Sequence, residues 1–275
     1  MNLELEPLSE AIGANVHGLD LRRPLDAEGR AALRRALDEH LALFVRDQLL
    51  TQEEMLAFGV SVGPLELHAF APTDVAHPEL VVLEESDPAD KGADAWHTDA
   101  SFTRVPPGIG ILRAEVLPSV GGDTCFASAI AAFEALSPPL QRMLDKLRGV
   151  HDITPPLSLA IANGNFDGNL HEMQKRWPPV THPVVIRHPR SGRKALFVNR
   201  NYTTRLEGLP PAESEGLLAF LLEHFRSPEI QCRFRWEPGS VAIWDNHFVQ
   251  HFAVPDYHER RVMWRLSVAG DPIAA

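Results

Sequence analysis

The chain has 275 residues, 44% of them apolar and 23% charged, with a formal net charge of −11. Those proportions suit a folded globular protein rather than a disordered one, and no apolar run approaches the roughly 18 residues of a membrane span. The acidic balance disfavours nucleic-acid binding, which needs clustered Lys and Arg, and two distant cysteines, Cys125 and Cys232, make neither a disulfide framework nor a C-x-x-C zinc pattern.

The N-terminus, MNLELEPLSE, is acidic and lacks a basic flank leading into an apolar stretch, so a cytoplasmic protein is expected. Residues 3–21 mix short alternating segments with Gly13 and Gly18 and predict strands joined by tight turns. From Asp26 to about His40, the residues Ala31, Leu33, Ala36, Leu37 and Leu41 recur at helical spacing, and Asp26 suits the cap. ALFVRD (42–47) predicts a short buried strand. Thr51 followed three residues later by Glu54 is a capping-box pattern, opening a helix that stops at Gly63. Another helix is predicted over 128–148, opened by Ser128 and ending near Gly149.

Residues 154–180 are rich in Pro, Asn and Gly, and predict a long loop with one helical turn. So long a loop in a compact domain is a candidate active-site lid. Beyond it, HPVVIRH (182–188), KALFV (194–198), CRFRW (232–236), SVAIWDN (240–246) and RVMWRLSVAG (261–270) are strand-like, with an amphipathic helix from Pro211 to Phe225. Short strands between Gly and Pro turns predict a mixed α and β fold with a β-rich core. A barrel or jelly roll flanked by helices, in one domain over 1–275, is the expected architecture.

AWHTDASF (95–102) sets His97 and Asp99 two apart, which on a strand places them on one face. WDNHFVQHFA (244–253) offers His247 and His251 as a third ligand. Two histidines and one carboxylate on one side of a metal leave positions open for oxygen and a co-substrate, the facial arrangement of non-haem iron(II) oxygenases. H-x-D alone is a weak pattern, and the plain alternative has His97 as a polar core residue bonded to Asp99. Arg261 follows His251 by ten residues, and Arg261 and Arg265 fall on one face of an apolar strand. A buried arginine is costly without an anionic partner, so an anion site near the metal accounts for both; pairing with Glu or Asp across a sheet is the alternative.

The sequence resembles the taurine dioxygenase family, which includes taurine, alkylsulfate and chlorophenoxyacetate dioxygenases. The resemblance rests on WHTDASF, PPGIGILRAEVLPSVGGDT, ASAIAAFEALS, SGRKALFVN, YTTR, WDN followed by QHFA, and RRVMWR, in order along most of the chain and weakest over 154–180. It implies a double-stranded β-helix with helical flanks and an enzyme dependent on Fe(II), 2-oxoglutarate and O2. By matching position, His97, Asp99 and His251 bind iron, and His247 falls where the family places no ligand. Thr124 and Arg261 hold the distal carboxylate of 2-oxoglutarate, which suits a hydroxyl and a guanidinium fork.

His68 and Arg265 match the pair that grips the sulfonate in taurine dioxygenase, implying a small anionic substrate: a sulfonate or alkyl sulfate ester, with aryloxyalkanoates and other carboxylates open. Ala93 stands where that enzyme has a polar amide residue, Leu157 where it has an aromatic one and Tyr202 where it has phenylalanine, so a changed pocket wall is expected. The resemblance further implies a homo-oligomer, a dimer or tetramer. A zinc hydrolase would also suit two histidines and an aspartate, but gives Thr124 and Arg261 no role.

Overall fold

Caps and turns written into the sequence open the N-terminal half. Strands β1 (Glu4–Pro7) and β2 (Ala14–His17) pair across a turn in which Gly13 has a φ of 92°. Helix α1 (Ala27–His40) starts where the Asp26 carboxylate accepts from the Gly29 N–H, and β3 (Ala42–Val45) follows at once. The capping box of Thr51 and Glu54 forms, starting α2 (Gln52–Val62). Then come β4 (Leu65–Glu66), β5 (Val81–Glu85), β6 (Ile109–Val116) and β7 (Thr124–Ser128). The computed structural model describes residues 3–68, 75–86, 95–164, 166 and 168–274; Ala93 lies outside them.

The helix expected over 128–148 is two helices, α3 (Ala129–Glu134) and α4 (Pro138–Leu144), followed by β8 (Arg148–His151). Ser128 caps α3 as expected, accepting from the Ala131 N–H at 3.0 Å. Ser137 precedes a proline, whose ring disfavours helical backbone in the residue before it, and Ser137 is extended, with a ψ of 146°. The predicted loop at 154–180 is also corrected: it holds α5 (Thr154–Ala162) and α6 (Leu170–Arg176). Pro155 and Pro156 sit in the first turn of α5, where a missing N–H costs nothing. Asn169 caps α6 by accepting from His171 and Glu172.

The run 182–188 divides between β9 (Val180–Pro183) and β10 (Val185–Arg187), which join different sheets. The chain continues through β11 (Lys194–Leu196), β12 (Thr203–Leu206), α7 (Pro211–His224), β13 (Gln231–Phe234), β14 (Val241–Asp245), β15 (Val249–Ala253) and β16 (Arg261–Val268).

The fold is mixed α and β and rich in sheet. The large sheet runs β1-β2-β3-β14-β6-β16-β4, with β5 also on β16; a second runs β13-β7-β15; β12-β8-β9 and β10-β11 complete the set. Period-two alternation divides the core between the two faces of the large sheet. Val241, Ile243, Leu266 and Val268 pack with Leu33 and Leu37 of α1 and Met55 and Phe58 of α2. Ala242, Trp244 and Met263 point the other way, into a cluster with Phe126 and Phe234 of the second sheet, where Phe44 stacks on Phe234 at 4.1 Å. Arg261 and Arg265 each lie two residues from Met263 along β16, so both belong to the face turned toward the second sheet. Among the described residues, no helix is long and apolar enough to cross a membrane.

Candidate metal centre

Asp99 does not lie on a strand with His97. His97 forms an isolated antiparallel bridge with His251, and the chain then turns through Ala100, whose φ is 49°. Both bridge bonds are good, His97 N–H to His251 O at 3.1 Å and His251 N–H to His97 O at 2.9 Å. The bridge brings the two imidazoles within 4.2 Å of each other, and the Asp99 carboxylate lies beside them, just before the left-handed Ala100. A non-glycine residue in that region costs about 1 kcal/mol, so the surroundings must hold it. Asn246, fully buried, does so: it accepts from the Asp99 N–H at 3.0 Å and donates to the carbonyls of Asp99 at 3.0 Å and Pro107 at 2.9 Å. Asn246 was not among the expected site residues. Its signal is an amide ending the apolar strand run SVAIWDN, where a buried side chain must find partners.

Asp99 Oδ1 lies 3.6 Å from His97 Nε2 and 3.9 Å from His251 Nε2, and ligand atoms from all three residues fall within 4.8 Å of one another. His97 Nδ1 donates to the Ala95 carbonyl at 2.8 Å, which leaves Nε2 with a lone pair toward the centre. Burial, and then His97, push the His251 imidazole down to about 3, so it stays neutral and able to ligate. Burial pushes the Asp99 carboxyl up, but Arg265, His251 and His97 outweigh it and hold the group well below the usual carboxylate range. Asp99 Oδ2 is buried with no partner among the described residues. A His251 imidazole kept neutral, a His97 Nε2 turned to the centre, a persistent carboxylate and an open oxygen match what a divalent first-row metal requires. His247 is elsewhere: its Nε2 donates to the Pro106 carbonyl at 3.0 Å.

The segment leading into Thr124 approaches Arg261 closely at Gly122. Gly122, with a φ of 73°, lies against the Arg261 side chain, and a Cβ there would come within 3.2 Å of Arg261 Cδ and Nε. Arg261 is 6% exposed, and its Nε and Nη2 have no partner among the described residues. Glu85 pairs with it in register across β5 and β16, but the Glu85 carboxylate accepts from the Tyr257 hydroxyl at 3.0 Å. Burial lowers the Arg261 pKa, with Tyr257 and Glu85 opposing, so the guanidinium is a cation in want of an anion. Thr124 Oγ1 accepts from Trp236 Nε1 at 2.9 Å, which leaves the threonine proton to be donated elsewhere. Trp236, too, was not foreseen as a site residue.

Arg265 donates through Nη1 to Asp99 Oδ1 at 3.4 Å, while its Nε is buried with no partner among the described residues. His68 is near enough to feel the charges of both Arg265 and Asp99. Burial first, and then Arg265, push its imidazole down to about 4. Tyr202 also senses Asp99 and Arg265, and burial raises its phenol. Tyr202 packs with Leu157 and Phe102 in a third apolar cluster, its ring 5.0 Å from that of Phe102. Ile161, Met173 and Trp177, on or just beyond α5 and α6, join the same cluster. The structure thus brings His97, Asp99, His251 and Arg265 together, with His68 and Tyr202 near enough to sense Asp99 and Arg265 and Leu157 packed with Tyr202, while Arg261 lies against Gly122 and His247 lies apart.

Residues 4–267 match the family described as "Taurine catabolism dioxygenase TauD, TfdA family". An alpha-ketoglutarate-dependent sulfate ester dioxygenase of Pseudomonas putida is 34% identical, the match covering 98% of this chain and 91% of that protein. An (S)-phenoxypropionate/alpha-ketoglutarate-dioxygenase of Sphingobium herbicidovorans is 36% identical, covering 98% and 96%. A crystal structure of a taurine dioxygenase from Burkholderia xenovorans is 36% identical with a TM-score of 0.84, covering 100% of this chain and 92% of that one.

Proposed function

We propose, for a chain that belongs to the taurine catabolism dioxygenase TauD, TfdA family, that His97, Asp99 and His251 hold Fe(II) and that Thr124 and Arg261 take the distal carboxylate of 2-oxoglutarate. The enzyme is an alpha-ketoglutarate-dependent dioxygenase of a small molecule and uses Fe(II), 2-oxoglutarate and O2. The observation that carries the residue assignment is the buried Arg261 guanidinium, its Nε and Nη2 without partners among the described residues, packed against Gly122 two residues before Thr124. A zinc hydrolase would leave that cation without an anion. We read the two facing sheets as the double-stranded β-helix, which would set both anchors on its inner faces.

Bound Fe(II), with 2-oxoglutarate consumed to succinate and CO2, supplies the oxidation of a substrate C–H bond. The protein's own part is to bind, orient and keep water out. A His251 imidazole kept neutral and an Asp99 carboxylate kept anionic ligate without first losing protons. Arg261 and Thr124 would fix one end of 2-oxoglutarate by charge and by hydrogen bond. Tyr202, Leu157 and Phe102 would form an apolar wall, with α5 and α6 as the lid above it.

The substrate is a small anion gripped by His68 and Arg265, in our reading a sulfonate or alkyl sulfate ester, with aryloxyalkanoates as the alternative on the same chemistry. Relatives named for a sulfate ester and for (S)-phenoxypropionate support an anionic group on an apolar body, as does the Tyr202 cluster. The expected cytoplasmic location, to which the free thiols of Cys125 and Cys232 are suited, and a homo-oligomeric state belong to the same reading.

The test is substrate-dependent succinate formation across taurine, longer alkylsulfonates, alkyl sulfates and aryloxy acids. Anions with an apolar tail are expected to couple best. Coupling by neutral or cationic compounds alone would remove the roles of His68 and Arg265.

A further inference from the structure

The short segment from Val198 to Thr203 reaches the neighbourhood of all three proposed ligands. The Arg200 N–H donates to the carbonyl of Trp96, next to His97, at 3.2 Å. The Val198 carbonyl accepts from Gln250 Nε2, next to His251, at 2.5 Å. Asn199 Nδ2 donates to Ser101 Oγ, two residues beyond Asp99, at 2.8 Å.

The Ser101 contact is part of a closed ring of four residues, closed by the Asn199 backbone N–H. Ser101 Oγ bonds His151 Nδ1 at 3.0 Å, His151 Nε2 meets Thr203 Oγ1 at 3.3 Å, and Thr203 Oγ1 accepts from the Asn199 N–H at 2.9 Å. Ser101 and His151 are 0% exposed and Asn199 and Gln250 1%, so each of these bonds is made out of reach of solvent. His182 adds a further tie, its Nε2 donating to the carbonyls of Ser101 and Thr103, each at 3.0 Å. The other end of the Asn199 amide accepts from the Tyr202 N–H at 3.0 Å. One amide thus bonds both the turn that carries Asp99 and the turn that carries Tyr202.

We propose that Asn199, acting through Ser101 and supported by Gln250, is a positioning residue that holds the three ligand-bearing segments and the Tyr202 wall in one frame. The inference rests on the ligand assignment above. Gln250 Oε1 has no partner among the described residues, but the bonds among Asn199, Ser101, His151 and Thr203 are all made. A buried network of made bonds permits few alternative geometries, because each shift leaves a donor or acceptor unpaired. A site that must place a substrate C–H bond against a metal is sensitive to displacements of that size. Asn199 and Ser101 touch neither metal nor substrate in this account.

The experiment compares Asn199→Ala, Ser101→Ala and the double variant in the full-length protein. Co(II) added to the apo-protein is followed by its visible absorption, and product formed per succinate is measured with whichever anion couples best. Both single variants are expected to bind Co(II) several-fold more weakly and to make at most about half as much product per succinate as the parent. The losses in the double variant should be less than the sum of the two single losses, because both changes break the same Asn199–Ser101 bond.

A lowered melting temperature with Co(II) affinity and product per succinate both unchanged would overturn the proposal, as would additive effects in the double variant. If Asn199→Ala does not fold, Ser101→Ala decides by the same two readouts. A parent protein that makes no succinate with any candidate would sink the functional reading, whereas the Co(II) titration still judges the positioning role.

Discussion

Arg261 concentrates the chemistry of the site into one side chain. Its guanidinium is buried, its Nε and Nη2 have no partner among the described residues, and its register neighbour Glu85 is already engaged by Tyr257. Removing one member of a buried charge-assisted pair typically costs about 2–5 kcal/mol. Arg261→Ala should therefore weaken 2-oxoglutarate binding by about that amount, read by anaerobic titration of the Fe(II) protein through its weak visible charge-transfer band. Arg261→Lys should recover only part of the loss, since an ammonium cannot replace a planar fork. Unchanged affinity in Arg261→Ala would remove the assignment. At this scale much was legible: residue types and spacing drew attention to His97, Asp99 and both arginines. Asn246 and Trp236 were not legible, because their importance lies in the partners they meet, Asp99 and Thr124, which come from distant parts of the chain.

Strands β6 and β14 show how an element serves the centre. Gly110 faces Trp244 in register, and a Cβ on Gly110 would sit inside the Trp244 indole. That indole packs 4.8 Å from the His251 ring. Gly110→Ala must displace a fully buried ring rather than a flexible chain end, and overpacking of this kind costs about 1–3 kcal/mol. A lower melting temperature is expected, together with weaker Co(II) binding as Trp244 is driven toward His251. A melting temperature equal to the parent's would show that the strand pair accommodates the methyl. Elements announced by local chemistry, such as α1 behind Asp26 and α2 behind its capping box, appear where expected. Prolines misled in both directions. Pro138 ends what spacing made a single helix, whereas Pro155 and Pro156, read as loop signals, begin one. The difference is position within the helix, since a missing N–H matters only beyond the first turn.

Over the whole molecule, buried histidines tie stability to pH. Burial pushes His151 down to about 3 and also lowers His182 and His188. A folded-state value below the unfolded one, near 6.5 for histidine, gives stability that is complete above pH 6.5 and is lost as pH falls toward the folded value. Asp245 and Glu66 oppose this, because burial raises both carboxyls, but they are two groups against several. The apo-protein should melt at nearly constant temperature from pH 8 to 7 and at falling temperature from pH 6.5 to 4. Each histidine contributes at most about 1.4 kcal/mol per pH unit. Replacing His151 with Gln should reduce the slope by about one proton; an unchanged slope would show that His151 is not among the groups responsible.

From the sequence alone came the ligand types, the anion-binding residues, the family resemblance and the alternation that sets Arg261 and Arg265 on one face of β16. Spacing constrains side chains only within a single element, so it went no further. The family resemblance already chose His251 over His247, but how the Asp99 carboxylate comes to lie beside the two imidazoles and how residues 198–203 brace all three ligand segments depend on bridges between distant parts of the chain. Those were decided by tertiary structure, because sheet pairing and buried hydrogen bonds, rather than local propensity, bring the segments together.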